Sequence, residues 1–196
     1  RVFKLPPTFG HLLTRLFPNI ERLIVDVKGR SFENALENIL LDLLDHWKPQ
    51  LTTLSIHIRF HNITTDLCDR INSISYLKQL SLGLRVPVSP AMLAPTLARL
   101  ERFSIDLYDE SENAAIAFRH LGPSCTHVSF TQYSLYLTEW RTVNDSLHVN
   151  VRLVTQVTHL RLKGDVQLDQ LTTLFAHTNS LQVLDIAFRP DSTMLT

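Results

Sequence analysis

Cysteine and glycine are scarce in this chain of 196 residues, two of the first and five of the second, and each scarcity removes a class of function. Cys68 and Cys125 stand in unrelated contexts and neither belongs to a Cys-x-x-Cys pair. No disulfide framework or structural zinc site is therefore expected, and a reducing compartment, cytoplasm or nucleus, fits best. Five glycines leave little scope for a Gly-rich phosphate loop. Excess charge of one sign is also missing: 19 Lys plus Arg balance 19 Asp plus Glu, so no global field favours nucleic acid or an anionic membrane. The longest aliphatic run, Ile39-Leu-Leu-Asp-Leu-Leu44, is interrupted by Asp42 and falls far short of the roughly 20 apolar residues that span hydrocarbon. Neither a metal nor a cofactor is expected.

With 44% apolar residues the chain is too hydrophobic to be disordered and long enough for one domain, residues 1–196. It opens at Arg1 without Met, shows no secretory signal, and is expected to be a piece of a longer protein. The sequons Asn62-Ile-Thr64 and Asn144-Asp-Ser146 would matter only outside the cell, and matches of this kind arise by chance.

The dominant feature is a recurring core of apolar-x-x-apolar-x-apolar. Its seven copies are Ile20/Leu23/Val25, Leu51/Leu54/Ile56, Leu77/Leu80/Leu82, Leu100/Phe103/Ile105, Cys125/Val128/Phe130, Val157/Leu160/Leu162 and Leu181/Leu184/Ile186. Their starts recur at a mean spacing of about 27 residues, within the range of solenoid repeats. Each core reads as a strand, predicted over Ile20–Val27, Leu51–Phe60, Leu77–Val86, Leu100–Tyr108, Thr126–Thr131, Val157–Leu162 and Leu181–Phe188. Between them, steps of three and four predict helices. The strongest runs from an N-cap at Ser31 through Phe32, Leu36, Leu40 and Leu44 to Trp47, and weaker ones cover His11–Phe17, Thr65–Ile74, Pro90–Leu97, Ala114–Leu121 and Gln167–His177. Pro95 disturbs the fourth of these six. Tyr133–Trp140 reads as an insertion or extra strand, followed by an ill-defined segment at Asn144–Val154.

Alternating strands and helices also suit a doubly wound sheet, but the near-constant period and the shared apolar register favour units that contact only their neighbours. The Leu-x-x-Leu-x-Leu core resembles the leucine-rich repeat family over residues 18–188. The resemblance implies an α/β solenoid of about seven repeats, with a curved parallel sheet on the concave side and helices on the convex side. It departs from the family pattern three residues past the third apolar position. The Asn or Cys expected there is replaced by Lys28, Arg59, Arg85, Tyr108, Tyr133, Asp165 and Arg189. Such irregular, helix-backed repeats look most like the substrate-binding half of F-box leucine-rich-repeat proteins. That likeness implies a non-catalytic protein-recognition module, part of a ubiquitin-ligase substrate receptor, with a cullin-ligase adaptor recruited through an F-box upstream of these residues. The alternative is a regulator of an enzyme, like the ribonuclease-inhibitor-like or GTPase-activating leucine-rich proteins.

Side chains alternate along a strand, so residues between the apolar ones share the open face. One column reads Ile24, Ser55, Ser81, Ser104, Ser129, Arg161, Asp185. Small polar residues suit a crowded face, and they also suit the floor of a peptide site. The flanking columns add His57, Asp106, Arg102, His127 and His159, and the outermost adds Arg59, Arg85, Tyr108 and Tyr133. Across these columns eight Lys or Arg face four Asp, although the chain as a whole is neutral. The face is thus expected to be locally basic and to hold a protein partner, an acidic or phosphorylated segment, unless its charge is merely solvated. Arg59, Arg85 and Arg102 with Tyr108 and Tyr133 form the expected central cluster, able to grip carboxylates or phosphates and to stack. His127 and His159 share a column without a third ligand, so no metal site is expected. A triad of Ser129, His127 or His159, and Asp106 is not expected either, because exposed strands offer no evident oxyanion hole or water-excluding pocket.

Overall fold

The computed structural model describes residues 9–27, 34–58, 64–84, 90–107, 117, 119–132, 156–164 and 179–188. Seven strands form one sheet in sequence order, β1 to β7: Arg22–Val27, Thr53–Ile58, Gln79–Leu84, Arg102–Leu107, His127–Gln132, His159–Gly164 and Val183–Phe188. All six pairings are parallel. Consecutive parallel neighbours require a crossover each time, and helices supply the first of these. α1 is Phe9–Leu16, α2 Asn34–Trp47 and α3 Thr65–Asn72. A 3-10 turn at Pro90–Leu93 leads into the single turn α4, Ala94–Leu97, with Pro95 at its start, where a missing N–H costs nothing.

Two-residue alternation decides which face is buried. In β2, Leu54, Ile56 and Ile58 are buried while Thr53, Ser55 and His57 stay half-exposed. Leu80 and Leu82, Phe103 and Ile105, Val128 and Phe130, and Leu160 and Leu162 continue the same apolar layer. Helical side chains complete it: Leu40 and Leu44 from α2, then Leu67, Cys68 and Ile71 from α3. A second stripe of α2, Ile39, Leu43 and Trp47, packs instead on Phe9 and Leu13 of α1, and the Trp47 indole N–H donates to the Phe17 carbonyl at 2.9 Å. Thr64 caps α3 by accepting from the Leu67 N–H at 3.2 Å, and its hydroxyl also bonds Glu37 of α2.

The strands begin two residues later than the apolar cores. Leu51, Leu77, Leu100, Cys125 and Val157 are buried, yet they lie in the approach to the strand. There one carbonyl of each unit accepts two consecutive N–H groups of the next. Glu21 takes Thr52 and Thr53, Thr52 takes Lys78 and Gln79, and the same bond pair recurs from Lys78, Glu101, Thr126 and Thr158. β7 departs from the expected core: Leu184 is 40% exposed, because the strand lies at the sheet edge with no further strand beside it among the described residues. The expected helix at 167–177, the 133–140 insertion and half of the 114–121 helix lie outside the described residues, as do Asn62 and Asn144.

Arg99 ties the helical layer together. Its guanidinium donates to the carbonyls of Asn72 at 3.1 Å and Ile74 at 2.8 Å, and to the Thr96 hydroxyl at 3.2 Å, so it satisfies groups left open where α3 ends. Burial pushes the two thiols up, Cys68 to about 11 and Cys125 to about 12, so both remain protonated, and neither is in a disulfide.

Candidate functional site: the open face of the sheet

The ladder register sets the open-face residues in three columns. Arg22, Thr53, Gln79, Arg102, His127, His159 and Val183 are partners across successive strands; so are Ile24, Ser55, Ser81, Ser104, Ser129, Arg161 and Asp185. Over these two columns runs an open groove of about 470 Å³ that takes walls from all seven strands. Of the residues expected to form the site, Ser55, Ser81, Arg102, Ser104, His127, Ser129, His159 and Arg161 line it. Arg59, Arg85, Tyr108 and Tyr133 lie outside the described residues.

His57 and Asp106 belong to the third column and do not line the groove; they engage each other. His57 Nε2 lies 3.0 Å from Ser81 Oγ, and Nδ1 lies 3.5 Å from Asp106 Oδ2, two strands away. Gly83, between them in the column, makes this reach possible: a Cβ there would stand 2.5 Å from His57 Nδ1. A lone glycine inside a strand marks such a close approach, and that was the sequence signal for the pairing. The order Ser81, His57, Asp106 matches a nucleophile, base and acid. β3 is hydrogen-bonded on both sides, however, so its backbone N–H groups are spent in the ladders and none converges beside Ser81 to stabilise an oxyanion.

The two groove histidines are arranged differently. The His127 and His159 rings stack with centroids 4.0 Å apart and an angle of 11°. Each is held by the hydroxyl of the threonine just before it, Thr126 Oγ1 to His127 Nδ1 and Thr158 Oγ1 to His159 Nδ1, both at 2.9 Å. The repeated Thr-His dipeptide was legible in the sequence. Burial, then the neighbouring His159 and Arg102, hold His127 below the usual histidine range.

Charge along the groove is uneven. Arg161 pairs with Asp185 at 2.8 Å, an opposite-charge pair on adjacent strands that neutralises the β6–β7 end. Arg22 and Arg102 have no carboxylate within ion-pair distance among the described residues. Among those residues no cluster of three His, Cys, Asp or Glu is placed to hold a metal ion, and no helix is long and apolar enough to cross a membrane. In the comparisons with known proteins, no protein-family model matches the chain and no curated protein matches it.

Proposed function

We propose that this chain is a non-catalytic recognition module of leucine-rich-repeat type, whose open sheet face is the concave side of a solenoid and holds an acidic or phosphorylated segment of a protein partner. The observation that carries the reading is the groove itself. It runs across all seven strands, is floored by Ser55, Ser81, Ser104 and Ser129, and among the described residues sets three arginines against one aspartate that is already paired. Small hydroxyl side chains leave room for a backbone to approach, and the unpaired arginines complement anionic side chains. The six-fold recurrence of one carbonyl accepting two N–H groups from the next unit supports the repeat assignment. Parallel sheets in doubly wound folds are covered on both faces, whereas among the described residues every one that lines the groove belongs to a strand.

The narrower reading places the module in an F-box ubiquitin-ligase receptor of the cytoplasm or nucleus, presenting the captured partner to a cullin-type ligase through its adaptor. A fluorescent Glu-rich peptide titrated by anisotropy tests the groove. Binding is expected at low salt, weaker at high salt, and lost in an Arg22→Glu/Arg102→Glu variant that retains its circular dichroism. Unchanged affinity in that variant overturns the assignment. The parent chain should also co-purify with a cullin-ligase adaptor; if it does not, the ligase role falls and the peptide groove stands.

A further inference from the structure

We infer that Arg102, His127 and His159 form an anion subsite at the β4–β6 part of the groove, which takes up one carboxylate or phosphate of the bound segment together with one proton. This rests on the reading of the groove as a peptide site and assigns where in it the acidic group sits. The three residues are register partners on adjacent strands, so a guanidinium and two imidazoles stand side by side along one wall. Both rings have Nδ1 tied to a threonine, and neither Nε2 has a partner among the described residues.

Each Nδ1 is held by a threonine hydroxyl, so Nε2 is the ring atom left to an anion. The Thr158 hydroxyl has a single proton to place between the Thr126 carbonyl at 3.2 Å, which already accepts two backbone N–H groups, and His159 Nδ1 at 2.9 Å. Neutral His159 carries one ring proton, and in its Nδ1–H tautomer it shows a bare lone pair at Nε2. A lone pair repels an anion; protonation at Nε2 turns the same atom into a charged donor beside Arg102. Only one proton enters the pair, because two imidazolium rings stacked 4.0 Å apart would repel each other.

Among the described residues, the surroundings supply the free pair with no anion. Arg102 faces it from β4, where Glu101 is occupied by Lys78 at 3.0 Å and Asp106 by His57. On β6 lie Arg161 and Lys163, and from β7 Asp185 is engaged by Arg161. No carboxylate is within ion-pair distance of either ring among the described residues. Burial, then the neighbouring His159 and Arg102, opposes protonation of His127. A bound anion reverses the balance and raises the pKa of the pair. By linkage, affinity must then increase as pH falls toward the histidine range.

The imidazole resonances of the wild-type chain, followed by NMR against pH, give a test that needs no variant. Saturating Glu-rich peptide or sodium sulfate, whose charge is constant over this range, should move the titration of one of the two rings up by about one unit. That corresponds to roughly tenfold tighter peptide binding at about pH 5.5 than at about pH 7.5. His159→Gln and His127→Gln, which keep a neutral polar side chain, should each flatten this pH dependence while leaving the unfolding transition in place. Peptide binding of equal strength at both pH values, or undiminished pH dependence in both variants, overturns the subsite and leaves the groove reading intact. Absence of any binding by peptide and sulfate at every pH overturns both.

Discussion

Gly83→Ala should uncouple His57 from its partners without unfolding the sheet. The added Cβ would lie 2.5 Å from His57 Nδ1 and 3.0 Å from Cγ, while the nearest backbone atom, the His57 Cα, is 3.3 Å away. The obstacle is thus a side chain on an open face, and the ring can swing out. Leaving breaks the 3.0 Å contact with Ser81, worth about 1 kcal/mol, and the half-exposed pair with Asp106, worth up to about 1 kcal/mol after screening. Replacing glycine within a strand returns about 0.5–1 kcal/mol. The net expectation is a loss of about 1 kcal/mol in urea unfolding. A double-mutant cycle isolates the mechanism. With His57→Ala already present there is no ring to displace, so Gly83→Ala should become stabilising, and the coupling should reach about 1.5 kcal/mol. A coupling near zero would refute the placement of the imidazole over Gly83.

Gly122 offers the contrast: an added Cβ would stand 1.8 Å from the Ala98 carbonyl oxygen and 2.6 Å from its carbon, atoms that no rotamer can move. Gly122→Ala should cost about 3 kcal/mol, seen as a lower urea midpoint at unchanged slope. Arg99→Met should lose about 2 kcal/mol by removing charge-assisted bonds to Asn72 and Ile74, and because one terminal nitrogen makes both, Arg99→Lys, whose ammonium has three donors, should restore about half of it or more. Because His127 titrates below its ordinary value in the fold, the unfolded chain binds the proton first as pH drops. Stability should therefore fall as pH goes down through the unfolded value of about 6.5, and His127→Gln should flatten that part of the curve in thermal melts.

The columns of the open face were legible because the apolar anchors leave no freedom of register. Sliding β3 by one residue against β2 would bring Ser81 and Gly83 into the apolar layer beside Ile56 and expose Leu80 and Leu82, so the pairing Leu54 with Leu80 is forced. The strand starts were not legible in the same way. Leu51, Leu77 and Leu100 are as buried as the residues that follow them, and an apolar pattern cannot separate a buried approach turn from a strand. Contacts from strand to strand within a column were harder still. His57 reaches Asp106 across two strands only because Gly83 has no side chain, a relation among three residues spread over 50 positions. Arg161 and Asp185 counted as part of a polar stripe, yet their adjacency removes Arg161 from the pool of unpaired cations.

That subtraction shifts where an acidic ligand must place its charge. With Arg161 paired, the cations left on the groove walls among the described residues are Arg22 on β1 and Arg102 on β4, in the same column and three strand intervals apart. Three intervals of ~4.8 Å span ~14 Å, and an extended peptide covers ~14 Å in about four residues. A segment lying across the strands should thus engage both arginines when its carboxylates are about four residues apart, with the serine column beneath the residues between. Peptides of one composition, differing only in whether two glutamates are two or four positions apart, should differ several-fold in affinity in favour of the wider spacing. Arg22→Gln should erase that preference while the closer-spaced peptide binds as before. Equal affinity at both spacings in the wild-type chain would mean that the ligand does not run across the strands in this groove.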